Sequence, residues 1–213
     1  MATRPTSKVR SDKRNALRNL IRKAPEGEML FEILIGLADD AWREDPAKDR
    51  TAAIMGATFL EHALRQAIEH HLKTDPDDPK HGYLFDSDEA PYKELASRLR
   101  LARALGVITK NDFDQMELIR LIRNAFAHSI DRITFSTLEI AAYFDDFDID
   151  YSSEPVSQWL SIMSPTYNTL GAIPSHHACR MTFVYIIFKF YWKLITGPHK
   201  NYKELLVEAL RAP

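Results

Sequence analysis

Polar residues in one predicted helix have the types and the spacing for chemistry on a phosphate. Arg120, Asn124 and His128 are spaced four residues apart, so a helix places them in one column. Arginine offers a fixed fork of donors that suits a phosphate, and histidine can take or give a proton near neutral pH. In such a column the Asn124 amide would orient the His128 imidazole, with the Arg120 guanidinium one turn below.

The residues around this column predict which side of the helix packs. The apolar half of the helical wheel comprises Leu118, Ile119, Leu121, Ile122, Ala125 and Phe126. The polar half comprises Glu117, Arg120, Arg123, Asn124, Ala127 and His128. We therefore expect four buried residues, Ile119, Ile122, Ala125 and Phe126, and a polar groove shared by Asn124 and His128. The simpler alternative is that the polar half is only a solvent-exposed surface without a function. The small Ala125 and Ala127, however, leave room for a second helix or a ligand.

The segment from Arg123 to His128 resembles the Arg-polar-x-x-x-His signature of the HEPN superfamily of helical domains. The surrounding sequence is similar to the mannitol operon repressor branch of that superfamily, most clearly in residues 84–85, 90–108 and 119–124. Leu95 departs from that branch, where phenylalanine is expected, and an aromatic residue is expected near Arg103. The likeness extends over about residues 30 to 196.

The resemblance implies two different functions. A member of the repressor branch would be a cytoplasmic, non-catalytic regulator that lowers transcription through contacts with protein or nucleic acid. The sequence has no convincing helix-turn-helix, so direct reading of an operator is not expected. Many other relatives are metal-independent endoribonucleases. In that case Arg123 would hold the scissile phosphate, His128 would transfer protons with the ribose 2′-hydroxyl as nucleophile, and Asn124 would orient the histidine. A purely structural helical module is the third alternative, and the regulator is preferred because the closest resemblance is to the repressor branch.

A second predicted helix, from Asp49 to Leu72, carries two further binding candidates, Glu61 and Arg65. The repressor branch has a Leu-Glu pair at this point, so Glu61 is expected to pair with Arg123 or Arg120. The alternative is that Glu61 is one surface carboxylate among the 30 acids of the chain.

HEPN relatives often appose two copies of their motif, which implies a homodimer, because one chain presents a single arginine–histidine set. An aromatic segment supports this expectation with Phe183, Tyr185, Phe188, Phe190, Tyr191 and Trp192. Arg180, Lys189 and Lys193 interrupt the segment, so it predicts a core or interface helix rather than a membrane span. A regulatory protein partner is a further expectation.

The first 23 residues hold eight basic side chains and a single acid, Asp12, which predicts a basic N-terminal arm over residues 1–27. Such an arm would contact the phosphates of RNA or DNA, or serve only as a solubilising tail. Residues 28–213 then form one domain, for which 45% apolar content is sufficient. The formal net charge of −2 gives no global argument for nucleic-acid binding. A single cysteine, Cys179, fits a reducing compartment, namely the cytoplasm.

Helical spacing without strand-like alternation predicts an all-α fold, an HEPN-like up-and-down bundle with added terminal helices. Gly56 would let two helices approach closely, and Gly106 would end a helix in the left-handed conformation. The predicted helices span residues 28–42 (closed by Asp45-Pro46), 49–72, 91–105, 109–129 (capped by Thr109 or Asn111), 136–144 (opened by a capping box, Ser136 to Glu139), 178–196 and 202–210. Residues 74–79 and 145–177 are predicted connections. The histidines lack zinc-ligand spacing, so we expect no metal and no cofactor.

Overall fold

The computed structural model describes residues 45–73, 81–87, 89–149 and 175–196, together with Ile33 and Gly36 at helical positions. These residues form helices and no strand, which confirms the all-α prediction. The helices are α1 (Pro46–Leu72), α2 (His81–Phe85), α3 (Leu95–Ala104), α4 (Lys110–His128), α5 (Leu138–Ala141) and α6 (Ser175–Thr196). The predicted arm at 1–27, the helix at 202–210 and the connection at 74–79 lie outside the described residues, as do residues 150–174 of the predicted connection at 145–177 and all but two residues of the helix at 28–42.

Helix α1 begins earlier than predicted because Asp45 caps it. The Asp45 carboxylate accepts hydrogen bonds from the backbone nitrogens of Ala47, at 2.9 Å, and Lys48, at 3.3 Å. Pro46 occupies the first turn, where its missing N–H is not needed. Asp45-Pro46 therefore starts a helix, and α1 begins three residues before its predicted start at Asp49, whereas the end of the preceding predicted helix lies outside the described residues.

Helices α1 and α6 pack closely and run in the same direction. Asp49 of α1 forms an ion pair with Arg180 of α6, and both side chains are 1% exposed. Gly56, seven residues further along α1, faces Ile187, which lies seven residues beyond Arg180. A Cβ added to Gly56 would lie 3.0 Å from Ile187 Cγ1 and 3.2 Å from Phe183 Cε1. The prediction that Gly56 permits close packing is confirmed.

Helix α6 is the central apolar element of the described core. Most of its aromatic side chains are buried within the single chain, namely Phe183, Tyr185, Phe188, Phe190 and Tyr191, and Trp192 is half-buried. The helix is therefore a core helix. Its aromatic side chains, which the sequence analysis took as support for a homodimer, are accounted for by packing within the chain. Among the helices that the structure describes, none is both long enough and apolar enough to cross a membrane.

Helix α4 runs antiparallel to both α1 and α6. Arg50, near the start of α1, donates a hydrogen bond from Nη2 to the carbonyl oxygen of Ser129, just after α4, at 2.8 Å. At the other end of α4, Lys193 of α6 donates to both carboxylate oxygens of Asp112, at 2.6 and 2.7 Å. Asp112 also forms a capping box with Thr109, so the predicted Thr109 cap is confirmed.

Helix α3 starts at Leu95, four residues after the predicted start at Pro91. Residues 91–94 are held outside the helix, because the Tyr92 backbone nitrogen donates to the carbonyl oxygen of Leu84 at 3.1 Å. After α3, Gly106 has a φ of 73°, which confirms the left-handed cap. Helix α3 packs against α1 and α4, so the described bundle comprises α1, α3, α4 and α6.

The predicted capping box at residues 136–139 is absent. Thr137 precedes α5, but its side chain does not cap the helix. Its hydroxyl oxygen instead accepts a hydrogen bond from the backbone nitrogen of Thr134 at 2.9 Å. Helix α5 is one turn long and continues as a 3₁₀ helix, Ala142–Asp146. In place of the predicted helix at 136–144, the chain forms a one-turn α-helix followed by a short 3₁₀ helix.

Candidate functional site

The candidate site lies along α4, and the helix is rotated about its axis relative to the prediction. Ile119, Ile122 and Phe126 are buried as predicted. Ala125 is exposed, so its predicted burial was wrong, and Leu121 from the predicted apolar half is 40% exposed. The buried side instead includes Met116 and the two polar residues Asp112 and Gln115. Lys193 donates to the Asp112 carboxylate, and Gln115 Nε2 donates to the carbonyl oxygen of Asp146 at 3.1 Å, so polar partners are present on this buried side of α4.

The polar residues of the motif do not bond to one another as the column predicted. Arg123 donates from Nη1 to the amide oxygen Oδ1 of its neighbour Asn124 at 3.0 Å. Within the described part of the chain, no hydrogen bond joins Asn124 to His128, which is exposed as the last residue of α4. Arg120 pairs with Glu117 at 2.8 Å. The amide therefore orients a guanidinium rather than the imidazole.

Glu61 lies next to two arginines, one of which the sequence analysis did not identify. Arg98 of α3 donates from Nη1 to Glu61 Oε1 at 3.0 Å. Burial raises the pKa of Glu61, and the positive charges of Arg98 and Arg123 oppose that rise. The predicted pairing of Glu61 with Arg123 or Arg120 is therefore wrong, because Glu61 bonds to Arg98 and Arg120 bonds to Glu117, and Arg123 acts on Glu61 only through its charge. Arg98 could have been found from its position among Leu95, Leu99 and Ala102, because a charged residue within an apolar stripe needs a partner.

Arg65, a predicted binding residue, is already engaged by side chains of its own chain. Its guanidinium donates to both carboxylate oxygens of Asp86, at 2.7 and 3.0 Å, and also to Glu69. Burial lowers the pKa of Arg65, but these hydrogen bonds outweigh burial and raise it overall. The guanidinium carbons of Arg65 and Arg98 lie 5.0 and 5.8 Å from the ring centre of buried Phe85. Through these bonds Arg65 of α1 binds Asp86, the residue that directly follows α2.

His62 is a further titratable residue in this region. Its Nε2 atom is buried without a hydrogen-bond partner in the described structure. Burial lowers the pKa of His62, and the positive charge of nearby Arg65 lowers it further. A neutral imidazole is therefore favoured at this position. No pattern in the sequence indicates this environment, because it depends on the packing of α3 against α1.

The described residues contain no group of three or more His, Cys, Asp or Glu side chains that could hold a metal ion. Cys179 is half-buried, and burial together with the charges of Asp145 and Asp49 raises its pKa to about 11. Its thiol is therefore protonated at neutral pH and is a poor nucleophile. The motif on α4 therefore offers arginine, amide and imidazole groups.

Comparison of the chain with models of protein families, with curated proteins and with solved structures found no significant match. The fold and the site define a class only in broad terms. The chain is an all-α protein in which one helix carries an arginine and an asparagine bonded to each other and ends in an exposed histidine.

Proposed function

We propose that the protein is a non-catalytic cytoplasmic regulator of the kind that resemblance to the mannitol operon repressor branch implies. It would lower transcription through contacts with other proteins or with nucleic acid. The observation that carries this proposal is the hydrogen bond from Arg123 to Asn124, which leaves His128 without the predicted amide partner. In sites for general acid–base catalysis a second group commonly orients the imidazole, and Asn124 does not have that role here.

The surroundings of Arg123 also favour a structural role. Arg123 is half-buried, and its positive charge acts on Glu61, which is itself bonded to Arg98. Glu61, Arg98 and Arg123 belong to α1, α3 and α4, so their charges connect three helices of the bundle. A guanidinium in this position contributes to helix packing, and a substrate phosphate would have to compete with Glu61 for it.

A metal-independent endoribonuclease is the second candidate, and a specific observation favours it. Among the described residues, no carboxylate lies within ion-pair distance of the Arg123 guanidinium, and His128 is exposed. In this mechanism Arg123 would hold the scissile phosphate, and His128 would take the proton of the ribose 2′-hydroxyl. RNA would bind along α4, with the N-terminal basic arm as an additional contact.

Incubation of the purified full chain with RNA in EDTA separates the two candidates. The variants are His128→Ala and Arg123→Ala, and the control is Arg100→Ala, an exposed arginine on α3. We expect no cleavage by the wild type or by any variant. Cleavage in EDTA that disappears in both motif variants but persists in the control would establish the ribonuclease and reject the regulator.

A further inference from the structure

A single arginine, Arg98 of α3, links the chain between α2 and α3 to Glu61 of α1. Its Nε atom donates to the carbonyl oxygen of Tyr92 at 2.8 Å, and its Nη1 atom donates to Glu61 Oε1 at 3.0 Å. The same guanidinium lies 5.8 Å from the ring centre of Phe85. Because the donors of a planar guanidinium are fixed relative to one another, the bond to Tyr92 sets the direction in which Nη1 meets Glu61.

The chain at the end of α2 and in the turns that follow it is attached to the bundle by side chains. We call it the 84–92 segment, and all of it except Asp88 is described. Arg65 of α1 donates to both carboxylate oxygens of Asp86, and Phe85 is buried. The bond from α3 to the carbonyl oxygen of residue 92 holds the other end. Detachment of such a short segment costs less free energy than global unfolding.

Glu61 lies in the field of a second arginine to which it is not bonded. The positive charge of Arg123 acts on Glu61, but Arg123 donates from Nη1 to Oδ1 of Asn124 at 3.0 Å. In the part of the chain that the structure describes, Glu61 Oε2 accepts no hydrogen bond. Glu61 is half-buried, and a carboxylate in such a place loses free energy when its partner leaves. Two arginines therefore compete for one carboxylate, and Arg98 holds it in this structure.

We infer that detachment of the 84–92 segment transfers Glu61 from Arg98 to Arg123, so that the segment controls the motif on α4. Once the segment leaves, the Arg98 guanidinium is exposed to water, and an exposed ion pair contributes little. Glu61 then attracts the remaining positive charge beside it, which is that of Arg123. Arg98 is thus a positioning residue in an autoinhibitory contact. The inference rests on the proposed function and deepens it, because a regulator needs two states of its binding site.

The consequence for the motif is a change of hydrogen-bond partner at Asn124. When Arg123 turns to the α1 carboxylate, Oδ1 of Asn124 loses its donor. His128 is four residues further along α4, so its imidazole can donate to this oxygen as a neutral or a protonated ring. The polar column would therefore form in the detached state. A partner that binds only the detached segment shifts the motif by the difference between its affinities for the two states.

A double-mutant cycle in the full chain tests the transfer. Glu61→Gln and Arg123→Met are made alone and together, in the wild type and in Asp86→Asn, which weakens the attachment of the segment. Their effects on the folding equilibrium constant should multiply to within about twofold in the wild type and should be coupled by about fivefold or more in Asp86→Asn. Glu89→Gln removes an exposed carboxylate from the same segment and should leave the coupling at its wild-type value.

The cycle separates the transfer from a purely structural role of Arg98. A guanidinium that only supports the fold leaves the relationship of Glu61 and Arg123 unchanged, so equal coupling in Asp86→Asn and in the wild type would overturn the inference. If Asp86→Asn does not fold, Arg65→Lys takes its place in the same cycle. Lysine keeps the positive charge but loses the paired bonds to the carboxylate, and the same fivefold criterion applies.

The coupling is reciprocal, so a change at Glu61 should loosen the segment. Glu61→Leu removes an acceptor of Arg98, and the Tyr92 amide, which donates to Leu84 at 3.1 Å, should exchange its hydrogen about fivefold faster or more. Glu117→Leu is the matched control, because it removes another half-buried carboxylate that is bonded to an arginine, and should leave this exchange rate unchanged. Equal exchange rates in Glu61→Leu and the wild type would also reject the transfer.

The RNA assay in EDTA distinguishes failure of this inference from failure of the proposed function. Unchanged coupling together with no cleavage by any variant rejects the transfer and leaves the regulator in place. Increased coupling in Asp86→Asn together with cleavage by this variant, but not by the wild type or by Asp86→Asn/His128→Ala, retains the transfer and rejects the non-catalytic regulator. Increased coupling without cleavage supports both.

Discussion

Arg123 donates a hydrogen bond from Nη1 to Oδ1 of Asn124 at 3.0 Å, so two adjacent motif residues are bonded to each other, and the positive charge of Arg123 acts on Glu61. His128 lies at the end of the same helix and is exposed. The motif therefore has an inner part, which belongs to the packing of the bundle, and an outer part, which belongs to its surface.

This division predicts different effects of two substitutions on stability. Arg123→Ala removes the donor to Asn124 and a positive charge near the half-buried Glu61, so it should lower the free energy of unfolding by about 1 to 3 kcal/mol. His128→Ala changes an exposed side chain and should stay within roughly 0.5 kcal/mol of the wild type. Equilibrium unfolding in denaturant, at the same protein concentration for every variant, measures both free energies of unfolding. Equal destabilisation by the two substitutions would contradict the division.

His62 should make the protein less stable in mild acid. The folded state lowers the pKa of His62 below its ordinary value of 6.5, so the unfolded state binds a proton more readily. Its contribution to stability is therefore present above about pH 6.5 and is lost as the pH falls through the lowered pKa. Glu61 acts in the opposite direction, because its raised pKa favours the folded state on acidification.

The effect of His62 is measured as the change in the free energy of unfolding between pH 7.5 and pH 5.5. These two values lie roughly one pH unit above and below the ordinary pKa of histidine. We expect His62→Leu to lose less stability over this interval than the wild type. His70→Gln, a change at an exposed histidine of the same helix, serves as the control and should keep the wild-type slope. An unchanged slope in His62→Leu would show that this imidazole is not the acid-sensitive group.

Gly56→Ala should be destabilising even though alanine is the better helix former. The new methyl group would lie 3.0 Å from Ile187 Cγ1, so the Ile187 side chain, packed in the core, would have to shift by a few tenths of an ångström. Overpacking of this kind costs about 1 to 3 kcal/mol, which exceeds the gain of about 1 kcal/mol in helix propensity. Gly36→Ala is the matched control, because that helical glycine has no atom within 4 Å of an added Cβ. A stability gain in both variants, measured by thermal unfolding, would mean that the two helices lie further apart.

The buried pair of Asp49 and Arg180 should be among the most sensitive positions of the fold. Arg180→Met leaves the Asp49 carboxylate buried without this counter-charge and should cost about 3 to 5 kcal/mol. The double variant Asp49→Asn/Arg180→Met removes both charges and keeps an acceptor for the backbone nitrogen of Phe135, so it should be less destabilised. Arg132→Met, at an exposed arginine, is the control. A double variant that unfolds more easily than Arg180→Met would contradict this account.

The sequence alone determined the features that depend on neighbours within one or two turns. Helical spacing predicted the existence of α1, α4 and α6, and the identities of Thr109 and Gly106 predicted the start of α4 and the end of the preceding helix. Capping groups act on backbone atoms three or four residues away, so no knowledge of the fold is needed to place them. The close approach at Gly56 followed equally from the absence of a side chain.

Only the tertiary structure decided which charged groups meet and how far α4 is rotated. Glu61 bonds to Arg98, 37 residues away, and Asp49 bonds to Arg180, 131 residues away. Helical periodicity fixes the angles between residues on one helix but not the direction in which that helix faces the others. That direction depends on contacts such as Lys193 to Asp112, which turned Ala125 outward and directed Arg123 towards Glu61. The polar partners of the motif were therefore set by packing, because an ion pair requires two helices to be in place before it can form.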